Sequence, residues 1–492
     1  MFETAELGAK ISREAFDAAA EKLRLALLAL QDRLREANFP VIVLFAGVDG
    51  AGKTESVNLI NEWLDPHWIV TRAYEDPSQE ESERPSFWRY WRDLPKSGQI
   101  GLFLSGWYSR PILWRVYGEI ADADFNYRLD HIKTFERLLA DDGALILKFW
   151  MHLDKKGQKK RLKALEADPL QSWKVGKQDW RNWRHYKSFI DAAGHAIRRT
   201  DVSHARWTIV DGSDERHRSL TVLQTLHDAL VRQLAERQAK KPAAKLKART
   251  APKASVLSAL DMTQALDKPT YERDLQEARA DLAVLAREAH ARGISSVALF
   301  EGWDAAGKGG AIRRVAAALD ARHRQVVPVA APTDEEKAHH YLWRFWRHLP
   351  RAGHMLIYDR SWYGRLLVER VEGFARPEEW ERAYAEINDF EDQLLHHGMV
   401  LAKFWLHITP EEQYKRFQER DSVAYKKWKL TDEDWRNRSK WDAYEAAVHE
   451  MVERTSSAAA PWDLIEGNDK NFARIKIIRS LADRLRHRLT RT

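Results

Sequence analysis

Residues 41–54 of this 492-residue chain read VIVLFAGVDGAGKT, and residues 297–310 repeat the pattern as VALFEGWDAAGKGG. In both places an apolar run leads into a glycine-rich loop that ends at a lysine, Lys53 or Lys308. A strand, such a loop and a following helix together bind phosphate, because the N–H groups of the loop and the positive end of the helix face the anion. We therefore predict a phosphate-binding loop in each half of the chain.

The two halves are copies of one domain. Lys53 and Lys308 are separated by 308 − 53 = 255 residues. The same offset holds along both halves, for Phe16/Tyr271, Trp88/Trp343, Trp107/Trp362, Lys148/Lys403, Trp173/Trp428, Asp179/Asp434 and Gly212/Gly467. A constant offset over this length indicates a tandem repeat. We place the first repeat at residues 1–237, a flexible basic linker at 238–265 and the second repeat at 266–492, with a plain tether as the favoured role of the linker.

Within each repeat, short apolar runs alternate with helical stretches. The runs are VIVLFAG, WIVTRAY, GLFLSGW, ALILKFWMHL and WTIVDG in the first repeat, and SVALFEG, QVVPVAAP, MLIYDRS, VLAKFWLHI and WDLIEGN in the second. Such runs are typical of strands buried on both faces, and the intervening helices favour parallel pairing. We predict for each repeat an α/β fold with a five-stranded parallel sheet between helices. A helix should precede the first strand, at Glu21–Arg35 and at Tyr271–Arg292.

Composition excludes several classes of protein. Hydrophobic residues make up 44% and charged residues 31% of the chain, which excludes collagen, low-complexity polymers and wholly disordered chains. No apolar run reaches the roughly 18 residues of a membrane span, and the start MFETAELGAK lacks the features of a signal peptide. The chain has no cysteine, which excludes thiolate nucleophiles and Cys-ligated zinc. We expect a cytoplasmic protein with no membrane partner, and the net charge of +7 favours a polyanionic ligand.

The loop of the second repeat supplies the first candidate residues. Its backbone N–H groups would bind phosphate oxygens and Lys308 would hold a phosphoryl group; the backbone positions are Gly302, Ala305, Ala306, Gly307 and Gly309. Gly309 follows the lysine, so the hydroxyl that usually contacts Mg²⁺ at this position is missing. Asp304 offers a suitable oxygen ligand, and the alternative is that it caps the helix.

The third strand of the second repeat ends near Asp359, at the edge of the sheet where phosphoryl-transfer enzymes hold a metal. Leu104 occupies the equivalent position in the first repeat, and leucine cannot ligate Mg²⁺. Asp304 and Asp359 are therefore our candidate metal ligands. Arginines that would compensate phosphate charge follow in the second repeat: Arg360, Arg365 and Arg370. Ser105 replaces Arg360 in the first repeat.

These differences predict that the second repeat catalyses a reaction and that the first is a degenerate scaffold. The first repeat would keep a secondary phosphate site, formed by Asp49, Gly52, Lys53 and Thr54. Its GVDGAGKT sequence satisfies the GxxxxGK[ST] pattern in full.

Two further basic segments in the second repeat would contact phosphates. Residues 414–435 are dense in lysine and arginine and would form a helical lid, the alternative being a solvated helix face; the cations are Arg416, Arg420, Lys427 and Lys429. Arg344 and Arg347 flank tryptophans before the third strand, where they would form a track for a long polyanion. The alternative is that the tryptophans pack a helix while the arginines are solvated.

This inventory suits phosphoryl transfer. A phosphate acceptor is largely ionised at neutral pH and needs no strong general base. The reaction requires in-line positioning and neutralisation of like charges, which Mg²⁺, lysine and arginine supply.

The segments FEGWDAAGKGG, PTDEE, LWRFWRHLP, YDRSWYGRLLVERVEG and KKWKLTDEDW resemble the type-2 polyphosphate kinase family. Together with the tandem arrangement, SWYGRLLVERVEG resembles the two-domain subgroup of polyphosphate:AMP phosphotransferases. The resemblance implies tandem P-loop kinase-like domains. It also implies that Mg²⁺ assists transfer of the terminal phosphoryl group of polyphosphate to AMP, giving ADP.

Carried over position by position, the resemblance makes functional residues of Asp304, Lys308, Asp359 and Arg360, and of the basic residues Arg365, Arg420 and Lys429. The choice of AMP rests on the subgroup likeness alone, so phosphorylation of nucleoside diphosphates stays open. So do an ATP-dependent nucleoside monophosphate kinase and a non-catalytic nucleotide- or polyanion-binding protein. We expect no nucleic-acid partner, and the family implies a possible homo-oligomer.

Overall fold

The computed structural model describes residues 1–239, 255–422 and 432–491. The chain divides into two compact units, each of which holds one five-stranded sheet. The first unit comprises Met1–Pro77, Arg89–Lys241 and Asp334–His340, and the second comprises Ser78–Trp88, Pro242–Thr333 and Tyr341–Thr492.

The first sheet consists of β1 (Val41–Gly47), β2 (Ile69–Ala73), β3 (Ile100–Leu104), β4 (Leu145–His152) and β5 (Trp207–Asp211). The helices of the first repeat are α1 (Arg13–Glu36), α2 (Lys53–Trp63), α3 (Gln79–Ser82), α4 (Trp88–Arg92), α5 (Ser109–Val116), α6 (Asp122–Asp141), α7 (Lys155–Ala167), α8 (Lys177–Arg184), α9 (Tyr186–Thr200) and α10 (Glu215–Ala239). Short 3₁₀ turns lie at Glu3–Ala5, Pro66–Trp68 and Ser172–Lys174.

The second sheet consists of β6 (Ser296–Gly302), β7 (Arg324–Pro328), β8 (Met355–Asp359), β9 (Val400–His407) and β10 (Trp462–Glu466). The helices of the second repeat are α11 (Lys268–Ala291), α12 (Lys308–Ala316), α13 (Asp334–Lys337), α14 (Trp343–Trp346), α15 (Val368–Val371), α16 (Pro377–His396), α17 (Pro410–Asp421), α18 (Asp432–Ser439), α19 (Trp441–Thr455) and α20 (Lys470–Thr490). Its 3₁₀ turns lie at Ala321–His323 and Trp362–Arg365.

Both sheets are fully parallel and share one topology, which confirms the predicted α/β fold. The strand orders are β2-β3-β1-β4-β5 and, read from the opposite edge, β10-β9-β6-β8-β7. All eight residues of β9 are buried, so both faces of the second sheet are covered, because successive side chains of a strand point to opposite faces. The apolar runs that form β3, β1 and β4 and those that form β9, β6 and β8 are therefore the central strands of the two sheets. The prediction of burial on both faces is wrong for β2 and β7, because these are edge strands whose residues are half-buried or exposed.

The topology brings two loops of the second repeat together. β6 pairs with β8 in a register that sets Phe300 opposite Asp359, so both strands end at the same edge of the sheet. The loop after β6 and the turn after β8 leave this edge side by side. Ligands of open α/β sheets bind at such an edge, where consecutive connections diverge to either side of a strand.

The helix that precedes each sheet begins earlier in the chain than the sequence predicts. α1 begins at Arg13 rather than at Glu21, because the Ser12 hydroxyl accepts a hydrogen bond from the Ala15 N–H at 3.2 Å. α11 begins at Lys268, where the Asp267 carboxylate accepts one from the Thr270 N–H at 2.7 Å. In both cases an N-cap side chain sets the start of the helix.

The predicted linker at 238–265 lies partly outside the described residues. Near its C-terminal end, the described part of the linker packs against the second repeat. The Val256 N–H donates to the His449 Nδ1 at 3.1 Å, and Leu257 is 2% exposed.

Each repeat contains the same buried ion pair beneath its sheet. The Lys403 ammonium donates to Glu391 Oε2 at 2.7 Å, to the Thr455 carbonyl at 2.7 Å and to the Tyr363 hydroxyl at 3.1 Å. The Glu391 carboxylate also accepts hydrogen bonds from the Tyr363 hydroxyl at 2.7 Å and from the Trp362 indole at 3.1 Å. The network therefore anchors the turn that directly follows β8.

The first repeat copies this network residue for residue. The Lys148 ammonium donates to Glu136 Oε2 at 2.7 Å, to the Thr200 carbonyl at 2.8 Å and to the Tyr108 hydroxyl at 3.0 Å. Trp107 donates to Glu136 Oε1 at 3.0 Å. These lysines and tryptophans recur 255 residues apart, and in both repeats they belong to the same buried hydrogen-bond network.

Candidate active site

The loop between β6 and α12 has the backbone of a phosphate-binding loop. Gly302 lies so close to β9 that a Cβ on it would stand 2.5 Å from the Leu406 carbonyl oxygen, so only glycine fits. Gly307 has a φ of 107° and precedes the first residue of the helix, Lys308. The predicted backbone positions, which include Ala305, Ala306 and Gly309, all belong to this loop or to the first turn of α12.

Lys308 folds back over its own loop. Its ammonium donates to the Gly302 carbonyl at 2.6 Å and to the Trp303 carbonyl at 3.1 Å. Burial lowers the pKa of Lys308, and the nearby charges of Asp304 and Asp359 oppose this shift. Lys308 and the two predicted metal ligands lie on the loop after β6 and at the end of β8, which meet at one edge of the sheet.

Asp304 does not cap the helix, because Gly307 occupies the N-cap position of α12. The Asp304 carboxylate instead accepts a hydrogen bond from the Asn437 amide at 2.9 Å and lies 3.5 Å from the Arg360 guanidinium. Its side chain is 16% exposed, so the carboxylate reaches the cleft.

The chain turns sharply after β8. Asp359 ends the strand, and Arg360 has a φ of 65°, which is unusual for a residue other than glycine. The Arg360 N–H donates to the Phe300 carbonyl at 3.0 Å and ties the turn to β6. Within the described residues, the Asp359 carboxylate has no hydrogen-bond partner, and it is partly exposed. The backbone of Arg360 is therefore strained and is held in place by its contact with β6, an arrangement that is typical of functional sites.

Glu301 is a buried carboxyl group in the same cleft, and sequence reasoning missed it. It is 5% exposed and accepts a hydrogen bond from the Ser361 hydroxyl at 2.7 Å. Burial raises the pKa of Glu301 to about 7. Ala46 occupies the equivalent position in the first repeat, so a comparison of the repeats would have indicated it.

The raised pKa of Glu301 predicts a pH dependence of stability. An ordinary glutamate has a pKa of 4.5, so above that pH the unfolded chain loses the proton while the folded chain keeps it up to about pH 7. Stability therefore falls as pH rises through this window, and the loss persists above it. We expect the Glu301→Gln variant to lack this pH-dependent loss of stability. The difference in melting temperature, variant minus wild type, should therefore increase as pH is raised from about 5 to about 8. A difference that is constant across this range would contradict the assignment.

The cleft beside the loop has charged and aromatic walls. Its lining residues are Glu301, Gly302, Trp303, Asp304, Arg360, Gly364, Leu367, Val368, Trp405, Gln413, Asn437 and Tyr444. Trp303 stacks on Trp441 with ring centroids 3.7 Å apart. A mixed wall of this kind suits a ligand that has both a flat ring and anionic groups.

Two predicted substrate-binding arginines, Arg416 and Arg370, make hydrogen bonds within the protein, and their contact with substrate stays a prediction. The Arg416 guanidinium is buried and donates to the carbonyls of Ala305 at 3.0 Å and Gly467 at 2.7 Å, so it supports the loop from behind. Arg370 donates to the Tyr384 hydroxyl at 2.7 Å and to Glu450 at 2.8 Å. Both guanidinium groups are hydrogen-bonded to these partners, and neither arginine lines the cleft.

The remaining predicted cations that the structure describes are not among the residues that line the cleft. The Arg365 guanidinium lies 3.1 Å from Glu369 and packs over the Tyr341 ring at 4.4 Å. Arg344 donates to the Ala330 carbonyl at 2.8 Å, and Arg347 packs over the Trp343 ring at 4.3 Å. Arg420 lies in the last turn of α17. The predicted Lys427 and Lys429 fall at residues 423–431, outside the described part of the lid segment.

The first repeat keeps the loop geometry. The Lys53 ammonium donates to the carbonyls of Gly47 at 3.0 Å and Val48 at 2.9 Å, and the Asn182 amide donates to Asp49 at 2.8 Å. Gly52 has a φ of 94°, which matches the conformation of Gly307. Thr54 lies exposed in the first turn of α2.

The first repeat nevertheless lacks the charged groups of the second cleft. Ala46, Leu104 and Ser105 replace Glu301, Asp359 and Arg360. Its own cleft is lined by Ala46, Gly47, Val48, Asp49, Lys53, Ser105, Ser109, Ile112, Leu113, Trp150, Gln158, Asn182, Tyr186 and Phe189. This cleft has a phosphate-binding loop but lacks the carboxylate and the arginine at the end of the third strand.

No group of three or more histidine, aspartate or glutamate side chains in 1–239, 255–422 and 432–491 is arranged to hold a metal ion. Among the helices of those same residues, none combines the length and the apolar character needed to cross a bilayer.

Comparisons with known proteins agree with the duplicated fold. The family profile described as polyphosphate kinase 2 (PPK2) matches residues 10–238 and 265–492. A protein of Pseudomonas aeruginosa named polyphosphate:AMP phosphotransferase is 50% identical over 486 residues, covering 98% of each chain. One of the same name from Pseudomonas syringae pv. tomato is 46% identical, covering 99% of this chain and 98% of that one. A crystal structure of a polyphosphate kinase 2 from P. aeruginosa covers all of both chains with a TM-score of 0.90 and 46% identity.

Proposed function

This chain belongs to the polyphosphate kinase 2 family, and from that premise we propose that it transfers the terminal phosphoryl group of inorganic polyphosphate to AMP. The terminal P–O–P bond of the donor breaks, and a new P–O bond forms to an oxygen of the AMP phosphate. The products are ADP and a polyphosphate shorter by one unit. Two relatives that carry this activity in their names match the chain over nearly its whole length, which supports the choice of donor and acceptor.

The observation that carries the proposal is the convergence of charged groups on Lys308. Asp304 lies in the same loop as Lys308, the Arg360 guanidinium lies 3.5 Å from the Asp304 carboxylate, and Asp359 ends the neighbouring strand at the same edge of the sheet. Lys308 and the loop N–H groups would hold the transferred phosphoryl group, and Arg360 would neutralise charge that accumulates between donor and acceptor. The chemistry requires little more than such positioning, because the attacking phosphate oxygen is already ionised.

We also propose Mg²⁺ as the cofactor, held by Asp304 and Asp359. Mg²⁺ in phosphoryl-transfer sites is bound by one or two carboxylates together with substrate phosphates and water, so a larger protein cluster is not required. The partly exposed Asp359 carboxylate, which lacks a hydrogen-bond partner among the described residues, fits this role. When bound, the ion would neutralise phosphate charge and align the reacting groups.

The cleft beside the loop is the proposed acceptor site. Trp303, Trp405 and Tyr444 offer aromatic surface for a purine ring, and Arg360 lies beside Asp304 at the loop. We propose that the first repeat takes no part in transfer, because Leu104 and Ser105 cannot supply the corresponding groups. A cytoplasmic location and a homo-oligomeric state stay predictions.

The test is product analysis with one donor at a time. Purified protein with AMP and long-chain polyphosphate, without ATP, is expected to form ADP, whereas AMP with ATP alone is expected to give little product. Turnover with ATP alone would make the protein a nucleoside monophosphate kinase. Conversion of ADP rather than AMP would move the acceptor to the nucleoside diphosphates, and binding without turnover of any donor would make it a non-catalytic binding protein.

A further inference from the structure

Glu372 is a buried carboxylate that adjoins the acceptor cleft without lining it. It lies at the C-cap of α15, in the SWYGRLLVERVEG segment, and its side chain is 4% exposed. Glu372 Oε2 lies 3.1 Å from the Arg436 guanidinium and 2.8 Å from the Lys440 ammonium. Because Arg436 belongs to α18 and Lys440 is the N-cap of α19, this one carboxylate ties both helices to the end of α15.

A chain of hydrogen bonds leads from Glu372 to the phosphate loop. The Tyr444 hydroxyl lies 3.4 Å from Glu372 Oε1 and 3.2 Å from the side-chain oxygen of Asn437. The Asn437 amide nitrogen in turn donates to Asp304 Oδ2 at 2.9 Å. Burial raises the pKa of Tyr444, and the charges of Glu372 and Asp304 raise it further. The hydroxyl therefore keeps its proton at neutral pH and serves as a donor within the chain.

Asn437 holds Asp304 in one orientation. The side chain of asparagine ends in one oxygen and one NH₂ group, so donation by the hydroxyl to the oxygen directs the NH₂ group toward Asp304. With Oδ2 of Asp304 hydrogen-bonded to this group, Oδ1 faces Arg360, whose guanidinium lies 3.5 Å away in the cleft. Outer hydrogen bonds of this kind orient the carboxylates that ligate metals, and removing one typically weakens metal affinity or activity by about 10- to 100-fold.

The first repeat fixes its loop aspartate in a different way. Asn182 donates to Asp49 at 2.8 Å, and the side-chain oxygen of Asn182 accepts directly from the Tyr117 hydroxyl. The positions that differ between the repeats around this asparagine are Glu372/Tyr117, Lys440/His185 and Tyr444/Phe189. Both repeats thus tie an asparagine to the loop aspartate, but in the second repeat a buried carboxylate stands behind the asparagine.

We propose that Glu372 is a positioning residue for phosphoryl transfer and acts on Asp304 through Tyr444 and Asn437. The inference rests on the proposed function, in which Asp304 is a ligand of Mg²⁺, and it adds the groups that hold this ligand in place. The charge of Glu372 also holds the two cations of α18 and α19, so the helix that carries Asn437 stays beside α15. Loss of this charge therefore disturbs the orientation of Asp304 and leaves the other residues of the cleft in place.

Three substitutions that preserve side-chain shape test this chain of contacts. Glu372→Gln removes the charge. Tyr444→Phe removes the hydroxyl, keeps the ring in the cleft wall and leaves both ion pairs of Glu372 intact. Asp274→Asn is the matched control, because the Asp274 side chain is also 10% exposed or less and pairs with two arginines, Arg273 at 2.8 Å and Arg479 at 2.9 Å, but does not line the cleft.

The decisive measurement is a titration of Mg²⁺ in the assay of polyphosphate-dependent AMP phosphorylation. Glu372→Gln and Tyr444→Phe are each expected to raise the half-saturating Mg²⁺ concentration by about tenfold, the lower end of the range for a lost outer hydrogen bond. The kcat at saturating Mg²⁺ and the KM values for AMP and polyphosphate should stay close to wild type. Asp274→Asn should match wild type in every parameter. The double variant Glu372→Gln/Tyr444→Phe should show little more than the effect of either change alone, because both act on the same asparagine.

Several outcomes would overturn the proposal. One is an unchanged Mg²⁺ dependence in Tyr444→Phe, and another is a loss of kcat in Glu372→Gln that saturating Mg²⁺ does not restore. Additive effects in the double variant would show that Glu372 does not act through Tyr444. An equal shift in Asp274→Asn would show that the loss of any buried charge has this effect.

Crystal structures of the ligand-free variants test the positioning without turnover. In Glu372→Gln and Tyr444→Phe the Asp304 carboxylate is expected to turn away from Asn437 or to occupy more than one rotamer, whereas in Asp274→Asn it should keep the 2.9 Å contact. If the wild type phosphorylated AMP from ATP and not from polyphosphate, the proposed function would be wrong, but this structural result would still be expected. An unchanged contact between Asp304 and Asn437 in both variants would exclude the positioning role whatever the donor.

Discussion

Asp359→Asn is expected to reduce kcat for phosphoryl transfer by about 10³-fold, because an ion that stabilises charge on the reacting phosphoryl group contributes several kcal/mol. The amide preserves the shape of the carboxylate but not its charge, and the turn at Arg360 is held by the backbone bond to Phe300, which the substitution leaves in place. The measurement is single-donor turnover with AMP and polyphosphate across a titration of Mg²⁺. Asp304→Ala should shift the half-saturating Mg²⁺ concentration upward in the same assay.

The matched control for this prediction is Lys53→Ala in the first repeat. Lys53 occupies the same loop position as Lys308 and makes the same carbonyl contacts, but it has no strand-end carboxylate beside it. Its removal should leave kcat nearly unchanged. Equal losses from Lys53→Ala and Asp359→Asn would mean that both repeats catalyse or that they share one site.

Lys403→Met is expected to destabilise the second repeat by about 3–5 kcal/mol, the usual cost of removing one partner of a buried ion pair. The substitution leaves Glu391, which is 3% exposed, without its counterion. Burial already raises the pKa of Glu391, so the variant will respond by keeping that carboxyl protonated. Urea unfolding combined with hydrogen exchange of β9 peptides measures the effect.

A second variant distinguishes the ion pair from simple packing. Adding Glu391→Gln to Lys403→Met removes the unpaired charge and should recover part of the lost stability. Lys148→Met should produce the same loss in β4 rather than in β9, because Lys148 and Glu136 form the equivalent pair. Wild-type exchange rates in Lys403→Met would show that the pair does not stabilise the second repeat.

The fold was predictable because its signals are local and repeated. Each central strand is an apolar run, and each run occurs twice in the sequence, 255 residues apart. The start of α1 was missed because the residues after Ser12 show no regular apolar spacing, whereas the capping hydroxyl of Ser12 fixes it in the structure. Capping decides such boundaries, and a serine before a polar segment is a weak signal.

The site was only partly predictable. Asp359 ends β8 and Arg360 follows it, while Asp304 and Lys308 lie in the loop after β6 and at the start of α12, so their position at the sheet edge follows from the topology. Asn437 could not be predicted, since it reaches Asp304 from 133 residues away in the chain.

The sequence also left out contacts and residues near the loop. Arg416 looked like a substrate ligand, but its partners are backbone carbonyls, which no sequence pattern reveals. By contrast, Glu301 differs from its counterpart Ala46 in the first repeat and was within reach of a systematic comparison at the fixed offset.

The turn after the third strand carries a consequence for engineering. Ser105 adopts a φ of 51°, close to the 65° of Arg360, although it has no guanidinium to direct toward a ligand. Such a conformation costs about 1–3 kcal/mol for a residue other than glycine. The N-terminal copy therefore has the same backbone turn as the second repeat without its carboxylate and its arginine. If the second repeat alone catalyses transfer, as we propose, we expect that its strand-end carboxylate and arginine can be introduced into the first repeat at Leu104 and Ser105 without a change of backbone conformation.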